Sequence, residues 1–271
     1  MELSLAISPC PNDTFAFYAM VHNLVDTEGL SFKLSFADIE ELNNSALCGK
    51  YDISKLSYNG YFSVVERYVM LKSGSALGFN NGPLLVTKKG NIFNPNKKIA
   101  IPGVHTTAAL LLKTAYPEAC NRVPMLFSDI EGAILKGEVD AGVLIHEGRF
   151  TYKSKGLDLV MDLGEYWQSN FNYPIPLGGI AIKRELSKEL GEKVNRVLKR
   201  SIEFAFANAE LTDEFVNSHA QELSKEIQQK HINLFVNENT LNISKLGVEA
   251  VQFLYNKYLD EQPNNVVLFI D

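Results

Sequence analysis

Apolar positions follow two periods along the first seventy residues of the chain. Short apolar or alternating runs predict strands, and runs with an apolar residue every three or four positions predict helices. Ser31–Phe36 shows the alternation most clearly. In order, the pattern predicts the strand Leu3–Ile7, helix Phe15–Val25, strand Ser31–Phe36, helix Ile39–Cys48, strand Ile53–Leu56 and helix Gly60–Tyr68. Such alternation is typical of an α/β fold with a mostly parallel sheet.

A second α/β series follows a glycine-rich connection at residues 74–82. The pattern predicts a strand at 83–89, strand Lys98–Ile101, helix Thr106–Ala115, strand Pro124–Phe127, helix Asp129–Lys136, strands Ala141–Ile145 and Leu157–Asp162, and a strand at 178–184. Three long helices are then predicted at Ser187–Asn208, Thr212–Lys225 and Ser244–Leu259.

The two series contain a matching segment. Residues 47–58 and residues 135–146 both read as a helix end, a glycine turn, an aspartate, a strand and a polar residue at the strand's carboxyl end. A chance recurrence is the rival explanation, but a second echo, between residues 6–14 and 100–107, occurs in the same order. Ligands of parallel sheets bind outside the carboxyl ends of the strands. We therefore predict two lobes, 1–85 with 182–271 and 86–181, with a ligand cleft between them and a two-strand hinge at 83–89 and 178–184.

Composition narrows the classes of function. The chain has 271 residues and a formal net charge of −6, with no basic stripe, so nucleic acid is not the expected partner. No apolar run approaches the length of a membrane span, and no export signal precedes the first strand. The three cysteines show no metal-binding spacing. We expect a cytoplasmic protein with a small-molecule ligand, and no membrane or nucleic-acid partner.

The loop from Ser8 to Phe15 is unusual for a strand-to-helix connection. Two prolines stiffen it, and Asn12, Asp13 or Thr14 is predicted to cap the following helix. A capped helix start favours anions, so we predict that Asn12, Asp13 and Thr14 contact the ligand. The alternative is an ordinary turn, because these residue types are common in turns.

Three further loops, at 54–58, 102–108 and 145–149, follow predicted strands and would line the same cleft. Lys55, Ser57 and Tyr58 end one strand, and Thr106 and Thr107 begin a helix. Hydroxyl and amide groups there could bind a ligand, or the threonines could simply cap the helix.

His146 leaves a buried strand at its carboxyl end and is the candidate general base, since imidazole titrates near neutral pH. The alternative is a structural histidine. His105 is the second candidate, and Cys10 is a weak candidate nucleophile, more simply explained as a small buried residue. The sequence shows no nucleophile elbow, P-loop, dinucleotide or zinc motif.

These loops resemble the 1,4-dihydroxy-6-naphthoate synthases of the futalosine route to menaquinone. The similarity is carried by the segments 8–15 (SPCPNDTF), 55–58 (KLSY), 102–108 (PGVHTTA), 145–152 (IHEGRFTY), 177–179 (LGG) and 219–224 (HAQELS). It extends over nearly the whole chain.

The resemblance implies a type-2 periplasmic-binding-protein-like fold used as a cytoplasmic lyase. The implied substrate is cyclic dehypoxanthine futalosine, a carboxylated cyclic nucleoside derivative, and no metal or organic cofactor is implied. The family's proton acceptor falls on His146. Its substrate-binding positions fall on Lys55, Leu56, Ser57, Thr107 and Ala108.

Two other functions stay open at this point. One is a non-catalytic solute-binding protein of the same fold, and the other is chorismate dehydratase, a related enzyme of the same pathway. The motif from Ser8 to Thr14 favours the synthase.

Overall fold

The computed structural model describes residues 1–146, 148–220, 224–259 and 266–270. In chain order the strands are β1 (Glu2–Ile7), β2 (Ser31–Phe36), β3 (Ile53–Ser57), β4 (Tyr68–Met70), β5 (Ala76–Gly78), β6 (Leu84–Lys88), β7 (Ile99–Ile101), β8 (Arg122–Pro124), β9 (Ala141–Leu144), β10 (Leu157–Asp162) and β11 (Ile175–Lys183). The helices are α1 (Pro11–Val21), α2 (Ile39–Leu47), α3 (Tyr58–Phe62), α4 (Thr107–Ala115), α5 (Ile130–Lys136), α6 (Gly148–Thr151), α7 (Leu163–Phe171), α8 (Lys188–Ala207), α9 (Ala209–His219), α10 (Lys225–Phe235), α11 (Glu238–Leu241) and α12 (Lys245–Tyr258).

The chain divides into two units: unit 1 comprises 1–77 and 178–271, and unit 2 comprises 78–177. The sequence-based division at 85/86 and 181/182 lies eight and four residues further along the chain. β6 lies wholly in unit 2, where it pairs with β9 and β10. β11 pairs with β3 from Gly178 onward, so that part of the strand belongs to unit 1.

Unit 1 is built on a sheet in which β1 lies between β2 and β3 and is parallel to both. β11 adds antiparallel to β3. Apolar residues of β1 pack against α1 and α8 in one core. The Ser201 hydroxyl ties α8 to α1, since it donates to the carbonyl oxygen of Ala16 at 2.7 Å. This packing fixes the position at which α1 begins, just beyond the carboxyl end of β1.

Unit 2 repeats this local arrangement in a smaller sheet of order β10-β6-β9-β7-β8. β7 lies between β9 and β8 and is parallel to both. Its core includes Ile130, Ala133 and Ile134 of α5, packed against strand residues such as Val86 and Ala100. The carboxyl ends of β7 and β9 therefore lie side by side at one edge of this sheet.

Most predicted elements are confirmed, but three have the wrong type or the wrong bounds. The helix predicted at Gly60–Tyr68 is only the short α3, followed by β4. The strand predicted at Pro124–Phe127 contains only the last residue of β8 and the first residue of a 3₁₀ helix over Phe127–Asp129. α9 ends at His219, before the predicted end at Lys225, and residues 221–223 lie outside the described part of the chain.

The chain passes between the units within β5 and within β11, and these two strands are paired. The segment 83–89, predicted as one of the two hinge strands, contains β6 inside unit 2. In the described ranges, no helix has the length and apolarity that a membrane span requires.

Candidate active site

The loop after β1 leads directly into α1. Cys10 is the N-cap residue in an extended conformation, and Pro11 occupies the first helical turn. The prediction that Asn12, Asp13 or Thr14 caps the helix is thus wrong, since all three lie inside the first turn. A proline fits the first helical turn because an N–H there would have no partner within the helix, and α1 begins four residues before the predicted start at Phe15. The Thr14 hydroxyl donates back to the carbonyl oxygen of Cys10 at 3.1 Å.

Asp13 and Lys55 form a buried ion pair in unit 1. The Lys55 Nζ lies 2.6 Å from Asp13 Oδ1, and the two side chains are 8% and 4% exposed. Ser8 donates to the other carboxylate oxygen at 2.6 Å, and Asn12 Nδ2 donates to Oδ1 at 2.8 Å. Asp13 and Lys55 are 42 positions apart in the sequence, and the parallel pairing of β1 with β3 brings them together.

The residues that follow Lys55 are buried. Leu56 is completely inside the unit. Ser57 occupies the N-cap position of α3 without a capping side-chain bond. Instead its amide donates to Asn43 Oδ1 at 3.0 Å, and Asn43 Nδ2 donates to its hydroxyl at 3.3 Å. Asn43 therefore holds the end of β3 in place.

Tyr58 directly follows β3 and is the first residue of α3. Its hydroxyl group is hydrogen-bonded to the Ser75 hydroxyl at 2.9 Å. Burial raises the pKa of Tyr58 far above its ordinary value, so the phenol stays neutral. It is a structural neighbour of Ser57 and not a source of charge.

In unit 2 the start of α4 places three predicted residues. Thr106 is the N-cap: its hydroxyl accepts from the amide of Ala109 and donates to the carbonyl oxygen of Gly103 at 2.8 Å. The capping alternative is therefore correct for Thr106. The hydroxyl of Thr107 donates to the carbonyl oxygen of Leu177 at 2.9 Å. Ala108 is buried beside them.

His146 lies two residues beyond β9 and adopts a left-handed backbone conformation, with φ at +54°. Its ring meets the ring of Phe127 edge to face, with centroids 4.9 Å apart. A non-glycine residue in this region costs roughly 1–2 kcal/mol, and such residues concentrate at functional sites. Because β7 and β9 are parallel neighbours, His146 lies at the same sheet edge as the start of α4. Glu147 lies outside the described residues.

The short helix α6 that follows His146 is anchored by Arg149. Its guanidinium donates to the carbonyl oxygen of Gly82 and to Asp162 Oδ2, each at 2.6 Å. Asp162 in turn caps α7 by accepting from the amides of Gly164 and Glu165. This network fixes the segment on the carboxyl side of His146.

The sequence-based prediction missed Ser8, Asn43, Phe127 and Arg149 as supporting residues. Ser8 and Arg149 lie within the motifs quoted for the resemblance, so the signal existed but named no role. Asn43 and Phe127 lie on helices and carry no pattern that separates them from ordinary residues. Over the described ranges, no group of three or more His, Cys, Asp or Glu side chains could hold a metal ion.

The chain is 40% identical over 253 residues to a 1,4-dihydroxy-6-naphthoate synthase of Thermus thermophilus, covering 93% of this chain and 92% of the relative. It is 35% identical over 263 residues to a protein of the same name from Streptomyces coelicolor, covering 94% and 92%.

Solved structures agree on the fold. A crystal structure of a protein from Archaeoglobus fulgidus has a TM-score of 0.90 and 36% identity, covering 96% of this chain and 98% of that one. The ligand-binding component of an ABC-type import system from Staphylococcus aureus has a TM-score of 0.73 at 11% identity, covering 100% and 96%. At that identity the likeness concerns the fold alone, and it confirms the predicted periplasmic-binding-protein-like α/β class.

The family model described as menaquinone biosynthesis matches residues 3–260, nearly the whole chain. The chain therefore belongs to the menaquinone biosynthesis family and is an enzyme.

Proposed function

We propose that this enzyme is a lyase that converts cyclic dehypoxanthine futalosine to 1,4-dihydroxy-6-naphthoate in the cytoplasm. Two relatives with that synthase name support the proposal, at 40% and 35% identity over most of the chain. The observation in the structure that carries it is His146, held with a left-handed backbone at the carboxyl end of β9.

The reaction requires a proton to leave a carbon next to a carbonyl group. In the proposal the imidazole of His146 accepts that proton, and the electron pair moves onto the carbonyl oxygen as an enolate. A carbon–carbon bond of the ribose-derived ring then breaks, the ribose-derived fragment leaves, and the remaining ring system becomes aromatic. Hydrogen-bond donors directed at the developing oxyanion would lower the barrier.

The proposed substrate-binding residues are distributed over both units. Lys55, Leu56 and Ser57 end β3, and Thr107 and Ala108 begin α4. The ammonium of Lys55 is the strongest donor among them. No metal or organic cofactor takes part in the proposed reaction.

Asn12, Asp13, Thr14 and Thr106 were also expected to contact substrate. Asn12 and Asp13 are hydrogen-bonded to each other, and Thr14 and Thr106 bond to backbone groups of their own turns. In the proposal Asn12, Thr14 and Thr106 act mainly by shaping the starts of α1 and α4, whereas Asp13 acts on Lys55, with which it is paired.

Incubation with each candidate substrate tests the proposal. The enzyme is mixed with cyclic dehypoxanthine futalosine and, separately, with chorismate, and aromatic product is followed by absorbance. Naphthoate from the first substrate alone is the expected result. Product from chorismate alone would instead identify a dehydratase, and binding without product from either would identify a solute-binding protein.

A further inference from the structure

The ammonium group of Lys55 is buried but only partly bonded. One of its three N–H groups donates to Asp13 Oδ1 at 2.6 Å. Within the described ranges no other protein acceptor lies within hydrogen-bonding reach of Nζ, although the side chain is only 8% exposed. A buried ammonium normally satisfies its donors, so two strong donors are left for a ligand.

The carboxylate of Asp13 is in the opposite situation. Oδ1 accepts from Lys55 and from Asn12, and Oδ2 accepts from Ser8 at 2.6 Å. Both oxygens are therefore engaged by protein groups. Asp13 has little capacity left for a ligand, and its strongest effect is on the position of the Lys55 ammonium.

The charges of the pair balance each other. An ammonium in contact with a carboxylate presents no net charge, although its remaining N–H groups are directional donors. A ligand carboxylate at Nζ would also lie near the Asp13 carboxylate and be repelled by it. The site therefore suits an uncharged oxygen, a hydroxyl or a carbonyl, better than a carboxylate.

We infer that Asp13 is a positioning residue, which aims the two remaining N–H groups of Lys55 at a hydroxyl or carbonyl oxygen of the substrate. The inference rests on the proposed function for the identity of that substrate. Ser8 fixes the orientation of the Asp13 carboxylate, so Ser8, Asp13 and Lys55 form one chain of hydrogen bonds that ends at the ligand.

A double-mutant cycle tests this chain. Asp13→Asn and Lys55→Met are each expected to lower kcat/KM for cyclic dehypoxanthine futalosine by tenfold or more. The loss should come mainly from a change in only one of the two constants, kcat or KM. Because Asp13 acts through Lys55, adding Asp13→Asn to Lys55→Met should cause no further loss. A double variant whose loss equals the product of the two single losses would overturn the inference.

Two controls separate positioning from folding. Asp213→Asn breaks a surface ion pair with Lys225 in the same unit and should leave kcat/KM unchanged. Ser8→Ala keeps both buried charges, so it should fold even where Asp13→Asn does not. It is expected to lower kcat/KM about threefold or more, and an unchanged value would count against the inference.

Failure of the proposed function is recognised separately. If the wild-type enzyme does not convert the compound, calorimetric titration of the wild type and of Asp13→Asn with the same compound still tests the inference. Weaker binding by Asp13→Asn supports it. Equal binding, or no binding to either protein, overturns it.

Discussion

Replacing His146 with asparagine separates the backbone conformation of this residue from the chemistry of its ring. The φ angle of +54° lies in the left-handed region, which asparagine tolerates better than other non-glycine residues. The substitution therefore removes the imidazole without adding backbone strain. Alanine at the same position would remove the ring and also keep the full conformational cost.

The expected magnitudes differ sharply between stability and turnover. Losing the edge-to-face contact with Phe127 costs about 0.5–1.5 kcal/mol of unfolding free energy. Losing a general base costs about 10²- to 10⁴-fold in kcat. His146→Ala should show the same fall in kcat as His146→Asn, with a further loss of about 1 kcal/mol in stability from the left-handed backbone.

The assay follows naphthoate formation by absorbance and unfolding by thermal melting, on the wild type and the variants together. His22→Asn serves as the matched control, because His22 is exposed at the end of α1. His105→Asn tests the second candidate base. If His146→Asn kept kcat within threefold of the wild type, the assignment of the base would be refuted, and a large loss in His105→Asn would transfer the role there.

Two further predictions concern stability. Gly178→Ala should lower the unfolding free energy by about 1–3 kcal/mol, because the added Cβ would lie 2.7 Å from the carbonyl oxygen of Leu56. A lower melting temperature is the expected readout. Gly132→Ala in α5 meets no atom within 4 Å and should raise stability by up to about 1 kcal/mol, so equal melting temperatures for the two variants would contradict this reasoning. Hydrogen bonding to Arg196 lowers the pKa of Glu28 to about 2, so its stabilising effect is complete above about pH 4.5 and is lost as pH falls through about 2. The melting-temperature difference between wild type and Glu28→Gln should therefore be present at pH 6 and disappear near pH 2, and a constant difference would show that the ion pair is not its source.

Where a local pattern determines an element, the sequence was sufficient. β2 was predicted with its observed bounds. Its apolar and polar residues alternate, and successive side chains of a strand point to opposite faces of the sheet. The matching turns after α2 and α5 were predicted for a similar reason. Gly49 and Gly137 have φ of +65° and +76°, which glycine adopts without strain, so each marks a helix end.

Where packing between distant segments decides, the sequence was not sufficient. All five residues of α3 are buried, so no amphipathic period marked its length and the prediction ran on into β4. The partnership of Asp13 with Lys55 spans 42 positions and depends on the pairing of β1 with β3. The resemblance could name these residues, but only the fold assigns one of them to position the other.

Each unit contains one unusual feature among the candidate site residues. In unit 1 the buried ion pair of Lys55 lies at the carboxyl end of β3, and in unit 2 the left-handed His146 follows the carboxyl end of β9. Both cost folding free energy, since an ion pair must be desolvated and a left-handed residue is strained. Apolar residues in place of the pair would serve the packing at least as well, and glycine in place of the histidine would remove the backbone strain. Each feature is therefore better explained by the proposed chemistry than by stability, with Lys55 proposed as a fixed donor and His146 proposed as the proton acceptor.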